Sequence, residues 1–494
     1  MLQMQLLSLL LLCKGDGSLT PQAAQRQLRR KNMMLDEPIY KLIPKMALPT
    51  IVAFLINSIY NMADTYFVSS LGTAASAAVG VNSSLDQMIM MAGSFLAVGS
   101  NSYIARLLGA KQEEKASSVL STAFLTAFGF GAVVMVLGLT FIRPMVRMLG
   151  ATPTVEEYAI QYAGYVLYVA PFMACNFVMN QCLRAEGSAM LSMVGMGLGG
   201  IINVFLDPIF IFQLDLGVAG ASMATAISKM ISFFILIFPY LTKRSLLRLS
   251  IRRIQYTWDT VKQVAMVGSS SLFRTGTGVL SGILINNIAG GFSDSVLAAI
   301  SVTTRVMMFP FSFILGFCQG FQPVAGFNWG AKRYDRVQAS YRFSTRTVII
   351  SSCIIGLALG IFSDQAIRLF SETDQQMLEI GSLCIRLQCF ALPIQGWVCA
   401  NNMLHAGLGK AGGALALSTA RQGYCFLPLV FLLPALFGEV GIASVQAAAD
   451  LLSLAVAIPL AVKISKEIRE RIKTQDLNAV SHAVQPAEEQ LCLD

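Results

Sequence analysis

Apolar residues run along this chain in blocks of about twenty, separated by short polar segments. Twelve runs stand out: 46–69, 77–104, 117–140, 158–182, 190–212, 219–241, 263–289, 297–321, 344–366, 381–404, 413–434 and 441–463. Each reaches the ~17–25 residues that cross ~30 Å of hydrocarbon as an α-helix. Strands of a membrane barrel would alternate polar and apolar positions. The pattern therefore predicts an all-α integral membrane protein with twelve transmembrane helices.

The runs divide into two sets of six. Gly109-Ala110-Lys111 recurs as Gly330-Ala331-Lys332, 221 residues on, and Gly217-Val218-Ala219-Gly220 recurs at the same offset as Gly438-Glu439-Val440-Gly441. Pro171 is answered by Pro393, one residue out of step. Six spans per half is an even number, so the second half enters the membrane in the same orientation as the first. That predicts two six-helix lobes related by a pseudo-two-fold axis along the membrane normal. Repeated halves of membrane helices characterise secondary transporters, with the substrate site between the halves. The expected division is an N-terminal extension at 1–38, an N-lobe at 39–241 (helices 1–6), a linker at 242–262, a C-lobe at 263–465 (helices 7–12) and a C-terminal tail at 466–494. The extension carries a short apolar run, Leu6 to Leu12, with its charges after the run rather than before it. A signal peptide has the reverse order, so the extension is expected to be disordered.

Composition supports the membrane reading. The chain is 55% hydrophobic and 13% charged, against about 25% charged in soluble domains. The formal net charge of +9 does not indicate nucleic-acid binding, because the Lys and Arg residues sit between apolar runs, where they set topology. The basic segments are the N-terminal tail, 105–116, 242–262, 322–343 and the C-terminal tail, whereas 367–380 carries Glu372, Asp374 and Glu379. The expected product is a multi-pass protein of the cytoplasmic membrane, monomeric among its lipids, with both termini and the linker in the cytoplasm. Most of the ten cysteines lie within apolar runs and none forms a C-x-x-C pair, so they read as buried reduced thiols. With two histidines, His405 and His482, a histidine-built metal centre is not expected, and no cofactor is implied.

Ionisable side chains inside a bilayer cost a few kcal/mol, about 2.5–3.5 on insertion scales, and are functional candidates by default. Asp64 lies in the first run with Asn57 and Asn61 at helical spacing before it, and Asp207 lies in the fifth with Asn203 one turn earlier. Asp86 lies in the second run, Asp450 in the twelfth, and Lys229 and Arg274 are intramembrane cations. At the 221-residue offset Asp64 maps to Ile285 and Asp207 to Pro428. A carboxylate needed only for packing would more naturally appear in both halves, so the asymmetry points to a cation site in the N-terminal half. Two plainer readings stand beside this one. Asp207-Pro208 could be a helix break, and Asp64 could lie near the wet end of its helix. Gly195 and Gly199 form a G-x-x-x-G that reads as helix packing, and Met88, Met90 and Met91 suit an adaptable pocket.

At these residues the chain resembles the multidrug and toxic compound extrusion (MATE) family, in its DinF/MepA-like branch. The segments that carry the resemblance are Leu48-Pro49, Tyr60 through Val68, Arg184-Ala185-Glu186-Gly187-Ser188, Asn203 through Phe212, and Gln322 through Tyr334. The resemblance covers about 40–465. It implies cation-coupled antiport, with H+ or Na+ as the coupling ion, exporting small organic cations by alternating access. It further implies a coupling site of Asp64, Asp207, Asn203, Thr225 and Asn57, with Na+ at Asp64/Asp207 the one metal ion in view. Asn61, Asp86, Asn180, Arg274 and Met88 are candidates for the substrate cavity. One departure is in the seventh run, where Gly268 through Thr275 lacks the Pro and Gln usual in the branch. A low-dielectric surround favours the neutral form of any carboxylate, so ion binding there would bias the two lobes between outward- and inward-facing states. The alternatives are a flippase for lipid-linked oligosaccharides, which would want a cationic cleft for an anionic headgroup where the N-lobe here reads as acidic, and a polytopic membrane enzyme. The latter would need clustered metal-binding acids that the sequence lacks, so no enzymatic activity is expected.

Overall fold

The apolar blocks become long helices because a backbone in hydrocarbon must satisfy its own hydrogen bonds. The computed structural model describes residues 21–242, 244–370 and 374–491, and every regular element among them is helical. In chain order these are α1 (Pro21–Asp36), α2 (Ile39–Ser69), α3 (Thr73–Gly109), α4 (Glu113–Thr140), α5 (Ile142–Met148), α6 (Glu156–Ala185), α7 (Ala189–Pro208), α8 (Gly217–Leu241), α9 (Trp258–Gly290), α10 (Asp294–Gly330), α11 (Tyr334–Ile361), α12 (Ser363–Arg368), α13 (Gln375–Gly407), α14 (Ala411–Ala420) and α15 (Phe426–Leu491). Ten of the described helical segments are long and apolar enough to cross a membrane. Their outward faces remain apolar: on α11, Ile350, Ile354, Leu357 and Ile361 form one exposed stripe, a surface that suits lipid rather than water.

Three features differ from the expected runs. The eleventh run is not one helix: α14 ends at Ala420, residues 421–425 form turns, and α15 begins at Phe426. Within α15 the backbone breaks at Gly438 (φ 56°, ψ −132°), which divides the eleventh run from the twelfth. The helix then continues without interruption through the expected tail to Leu491. The seventh run falls below the apolarity of the others because α9 carries Ser269, Ser270, Ser271, Arg274, Thr275 and Thr277.

The repeat is visible in the backbone. Lys111 and Lys332 adopt φ of 60° and 58°, and Gly217 and Gly438 adopt 53° and 56°, each pair 221 residues apart. Pro171 and Pro393 both lie inside helices, α6 and α13. Packing repeats as well: α3 on α6 is answered by α10 on α13, α2 on α7 by α9 on α14, and α2 on α10 by α9 on α3. A Cβ at Gly109 would overlap the Phe327 carbonyl oxygen, and one at Gly330 would overlap that of Arg106. Phe327 and Gly330 are the 221-offset counterparts of Arg106 and Gly109, so this is one contact made twice. Gly99 meets Val264, Gly268 meets Phe95, and Gly316 and Gly320 meet Ile51 and Ala47. All these approaches lie at one end of the bundle, where α3 and α10 finish and α2 and α9 start. That end is closed by backbone-to-backbone packing of the kind small residues permit.

The N-terminal extension is not wholly unstructured. Residues 1–20, including the Leu6–Leu12 run, lie outside the described residues, but α1 packs against the closed end. Met34 is fully buried and its carbonyl accepts from Asn328 Nδ2 at 3.2 Å. Gln27 Nε2 donates to the Ser245 carbonyl at 3.0 Å, Lys31 pairs with Glu113, and Arg30 pairs with Glu186 at 3.4 Å. The expectation of disorder overlooked the burial available to Met34 and its neighbours once the bundle forms. Glu186 is itself held by Ser245 Oγ at 2.6 Å, Leu246 N at 2.8 Å and Ser188 Oγ at 3.0 Å. Burial raises the pKa of this carboxyl, and the Arg30 guanidinium and these donors oppose the shift. Past Glu186 the linker lies along α4, where Ser117, Ser121 and Thr122 hydroxyls accept from the backbone N–H groups of Arg248, Ser250 and Gln255. The linker ends at Thr257 rather than 262, because α9 begins at Trp258.

Candidate functional site

Helical spacing aims a short list of polar side chains inward. On α2, Asn57, Tyr60 and Asp64 stand at i, i+3 and i+7; on α3, Gln87, Met90 and Ser94 do the same. On α6 the pair is Asn176 and Asn180. Asn57, Tyr60, Gln87, Met90, Ser94, Asn176 and Asn180 all line a cavity of about 550 Å3, closed in the second half by Arg274 of α9, Phe311 and Gln319 of α10, and Gln422 of the break between α14 and α15. Both halves thus contribute to its wall. Lys229 of α8 and Arg184 of α6 complete the charged lining.

Behind this wall sits a second group. Asp207 is 0% exposed and Asp64 9%. Asn203 Nδ2 donates to Asp207 Oδ1 and to Thr225 Oγ1, both at 3.2 Å. Asp64 Oδ1, Asp207 Oδ2, Asp86 Oδ1 and Asn203 Oδ1 are buried without a hydrogen-bond partner. The Lys229 ammonium lies over the Tyr60 ring, 4.8 Å from its centroid, and falls within Coulombic range of both Asp64 and Asp86. Asp64 is likewise within range of Asp207. Tyr60 and Lys229 also border a narrow crevice with Asn203 and Thr225, so they adjoin both the cavity and the Asn203/Thr225 pair. Among the described residues no three acidic, Cys or His side chains converge closely enough to chelate a metal ion.

The residues expected from sequence divide accordingly. Asp64, Asp207, Asn203 and Thr225 come together, and Asp86 joins them. Asn57, Asn180 and Arg274 are on the cavity wall. Asn61 and Met88 are not. Asn61 is exposed and donates to the Asn57 carbonyl at 2.7 Å, being one residue past the Asn57/Tyr60/Asp64 stripe. Met88 is 56% exposed, one residue off the Gln87/Met90/Ser94 stripe. Asn82, one turn before Asp86, ties α3 to the Ala159 carbonyl of α6 at 3.1 Å instead. Gly195 and Gly199 pack against Leu236 and Ser232. Asp207 does precede a helix break, since Pro208 ends α7 and a π-helical turn follows at Ile209–Gln213, yet its carboxylate is fully buried. The residues without an assigned role were Lys229, Arg184, Tyr60 and the amides Gln87, Gln181, Gln319 and Gln422. For Lys229 the signal was plain, a charge in an apolar run; amides in a helix carry no such flag.

The asymmetry of the halves is sharper in three dimensions. Asp450 of α15, 221 residues after Lys229, is locked to Arg421 by an ion pair of 2.7 Å. The Gln395 side-chain oxygen, in the orientation its hydrogen bonding requires, accepts from the same guanidinium at 2.7 and 3.1 Å. The second half therefore uses its buried acid as one member of a satisfied pair.

A helical multi-pass bundle with repeated halves, a cavity between them and buried carboxylate oxygens left without hydrogen bonds defines a membrane transporter. The family model for MatE matches residues 49–209 and 277–429, and the chain belongs to that family. The multidrug export protein MepA of Staphylococcus aureus (strain MRSA252) is 26% identical over 407 residues, covering 82% of this chain and 89% of the relative. Among solved structures, a MATE protein in complex with MaL6 aligns with a TM-score of 0.84 at 24% identity, covering 90% of this chain and 99% of that one. An outward-facing multidrug resistance MATE family transporter of the MOP superfamily aligns at 0.83 and 23%, covering 88% and 98%. The chain is thus a multi-pass membrane protein of a multidrug efflux family.

Proposed function

We propose that this protein is an ion-coupled antiporter that exports small amphipathic compounds, alternating the access of the cavity between the two sides of the cytoplasmic membrane. Its twelve membrane-crossing segments form two six-helix lobes, α2–α8 and α9–α15, with α14 and the start of α15 together making the eleventh. The observation that carries the reading is the set of buried, unpartnered carboxylate oxygens on Asp64 and Asp207 beside a cavity lined by both halves. A buried charge without a partner is costly, and an ion that binds there removes the cost in one conformation more than in another. That differential is what coupling requires. Asn203 and Thr225 orient Asp207, and Asn57 stands at the cavity side of the same region.

The coupling ion in this reading is the proton. Each unpartnered carboxylate oxygen is satisfied by one proton; Na+ would draw on the same Asp64, Asp207 and Asn203 oxygens, and separate proton and sodium gradients discriminate the two. The glycine-sealed end carries the 109–115 and 330–334 turns, and the positive-inside rule makes it cytoplasmic together with both termini. The described conformation then faces outward. The resemblance implies organic cations as cargo. A lipid-linked oligosaccharide flippase would share the fold, with an anionic headgroup in the cleft. Purified protein in liposomes, with efflux driven separately by proton and sodium gradients, tests the central reading. Proton-driven efflux is expected, and a lack of response to both gradients would overturn it. Single-cysteine labelling from outside is expected to reach 367–380; labelling at 245–257 in intact cells would invert the topology.

A further inference from the structure

Helix α1 stands on both lobes at once. The N-lobe and the linker hold it by side chains. Gln27 Nε2 donates to the Ser245 carbonyl at 3.0 Å, Arg30 reaches Glu186 at 3.4 Å and the Arg244 carbonyl at 3.0 Å, and Lys31 pairs with Glu113. The C-lobe holds it by its C-terminal backbone. The last carbonyls of a helix have no partner within it. Here Asn328 Nδ2, near the end of α10, donates to the Met34 carbonyl at 3.2 Å, and Arg336 Nη2, at the start of α11, donates to the Glu37 carbonyl at 2.7 Å. Arg336 Nε also donates to Asn328 Oδ1 at 3.1 Å, so the two caps brace each other, and a cation suits the negative end of a helix. The repeat supplies the same arrangement in reverse. At the 221-residue offset Arg336 corresponds to Lys115, at the start of α4 in the N-lobe, and Lys115 holds the first turn of α9 through Asp259 at 3.1 Å. Tyr103 Oη donates to the same carboxylate at 2.9 Å. The start of each lobe is thus gripped by a basic residue of the other, at the one end of the bundle where the lobes meet backbone to backbone.

We propose that α1 is a strap across the two lobes, which holds the closed end shut and releases Asn328 and Arg336 each time that end opens. This rests on the alternating-access reading. The lobes cannot part there while α1 keeps both sets of contacts, because Lys31 and Met34 are less than one turn apart and leave no slack between anchor and cap. The caps are the side that yields. They are two hydrogen bonds to backbone, against two ion pairs and two further hydrogen bonds on the other side, and the chain runs from α1 directly into α2 of the N-lobe. The strap precedes the residues that the family model matches. It therefore adds to the common transport body a restraint on how readily that body turns inward.

The reporter is Ser102, fully buried at the closed end, where its hydroxyl donates to the Ala406 carbonyl of the other lobe. In the purified full chain, the rate at which Ser102→Cys reacts with a hydrophilic maleimide, above the background of the parent protein, reads how often that end opens. Arg336→Ala should raise the rate about fivefold, the worth of one net hydrogen bond, and Arg30→Ala with Lys31→Ala should do the same. Lys31→Glu should also raise it, and adding Glu113→Lys should bring it back; this pair carries the test if Arg336→Ala does not fold. In liposomes, Glu37→Cys and Arg336→Cys joined by a cleavable bis-methanethiosulfonate should stop gradient-driven efflux, and reduction should restore it, while the parent protein is indifferent to the reagent. Unchanged labelling in the strap variants, or efflux that continues with the bridge in place, would overturn the strap while leaving ion-coupled efflux standing. A wild-type protein that moves no cargo on either gradient would count against the antiport, and the labelling rates would still decide the strap.

Discussion

The two halves of this molecule treat a buried carboxylate in opposite ways. In the second half Asp450 is tied to Arg421 at 2.7 Å, with Gln395 completing the guanidinium's contacts. In the first half Lys229 occupies the equivalent position, and Asp64, Asp86 and Asp207 keep oxygens with no partner. A pair that is satisfied in place resists change, since removing either member strands the other. A set that is short of donors is poised to take up an ion. One copy of the repeat thus satisfies its buried carboxylate, while the other leaves oxygens free for the ion that the proposed coupling needs, and the difference lies in partners rather than in burial.

The sharpest way to break this comparison is Asp207→Asn. Asn keeps the size and most of the hydrogen bonding but cannot change charge. Gradient-driven efflux from liposomes should fall to the level of protein-free vesicles, while thermal stability in detergent is unchanged or raised. Efflux at the wild-type rate would make Asp207 structural. Asp64→Asn should behave in the same way.

Arg421→Ala examines the other half. Stranding Asp450 should cost about 3–5 kcal/mol, read as a large fall in the thermal midpoint. Replacing both members with apolar residues, Arg421→Met with Asp450→Leu, should recover most of that loss. A single variant as stable as the wild type would remove the contrast between the halves.

The glycine contact examines the symmetry itself. Gly109→Ala and Gly330→Ala each place a methyl against a carbonyl oxygen of the opposite half, and overpacking of this kind costs about 1–3 kcal/mol. Because the two sites are one contact repeated, the two variants should match in stability and in cysteine accessibility at the closed end. Unequal effects would mean that the halves meet less symmetrically than the backbone indicates. Asp86→Asn should have the smallest consequence, a loss of efflux well short of that of Asp207→Asn, measured in the same assay. Asp86 shares Lys229 with Asp64 but makes no hydrogen bond to the Asn203/Thr225 group.

Much of this was legible in the amino-acid sequence. Twenty-residue apolar blocks dictate helices, because hydrocarbon leaves the backbone no other partner. The 221-residue echo of Gly-Ala-Lys and of the glycine quartet reappears as matched left-handed backbone at Lys111 and Lys332 and at Gly217 and Gly438. Charges inside apolar runs marked Asp64, Asp207 and Lys229, since so costly a placement needs a reason. Tertiary structure decided the rest. Spacing along one helix could not tell which side of Asn57 or Gln87 faces the cavity, so Asn61 and Met88 were misplaced by a single residue, about 100° of turn. Nor could it tell that Asp450 is locked to an arginine while Asp64 keeps an oxygen without a hydrogen bond, because Arg421 sits in a break between two helices and pairing depends on how those helices cross. The α1 helix reads as polar and unremarkable until the bundle supplies Ser245, Glu186 and Asn328 to hold it. Which charges line the cavity was hidden for the same reason: net charge along a chain says nothing of which charges share a wall, and only packing put Arg184, Lys229 and Arg274 on it.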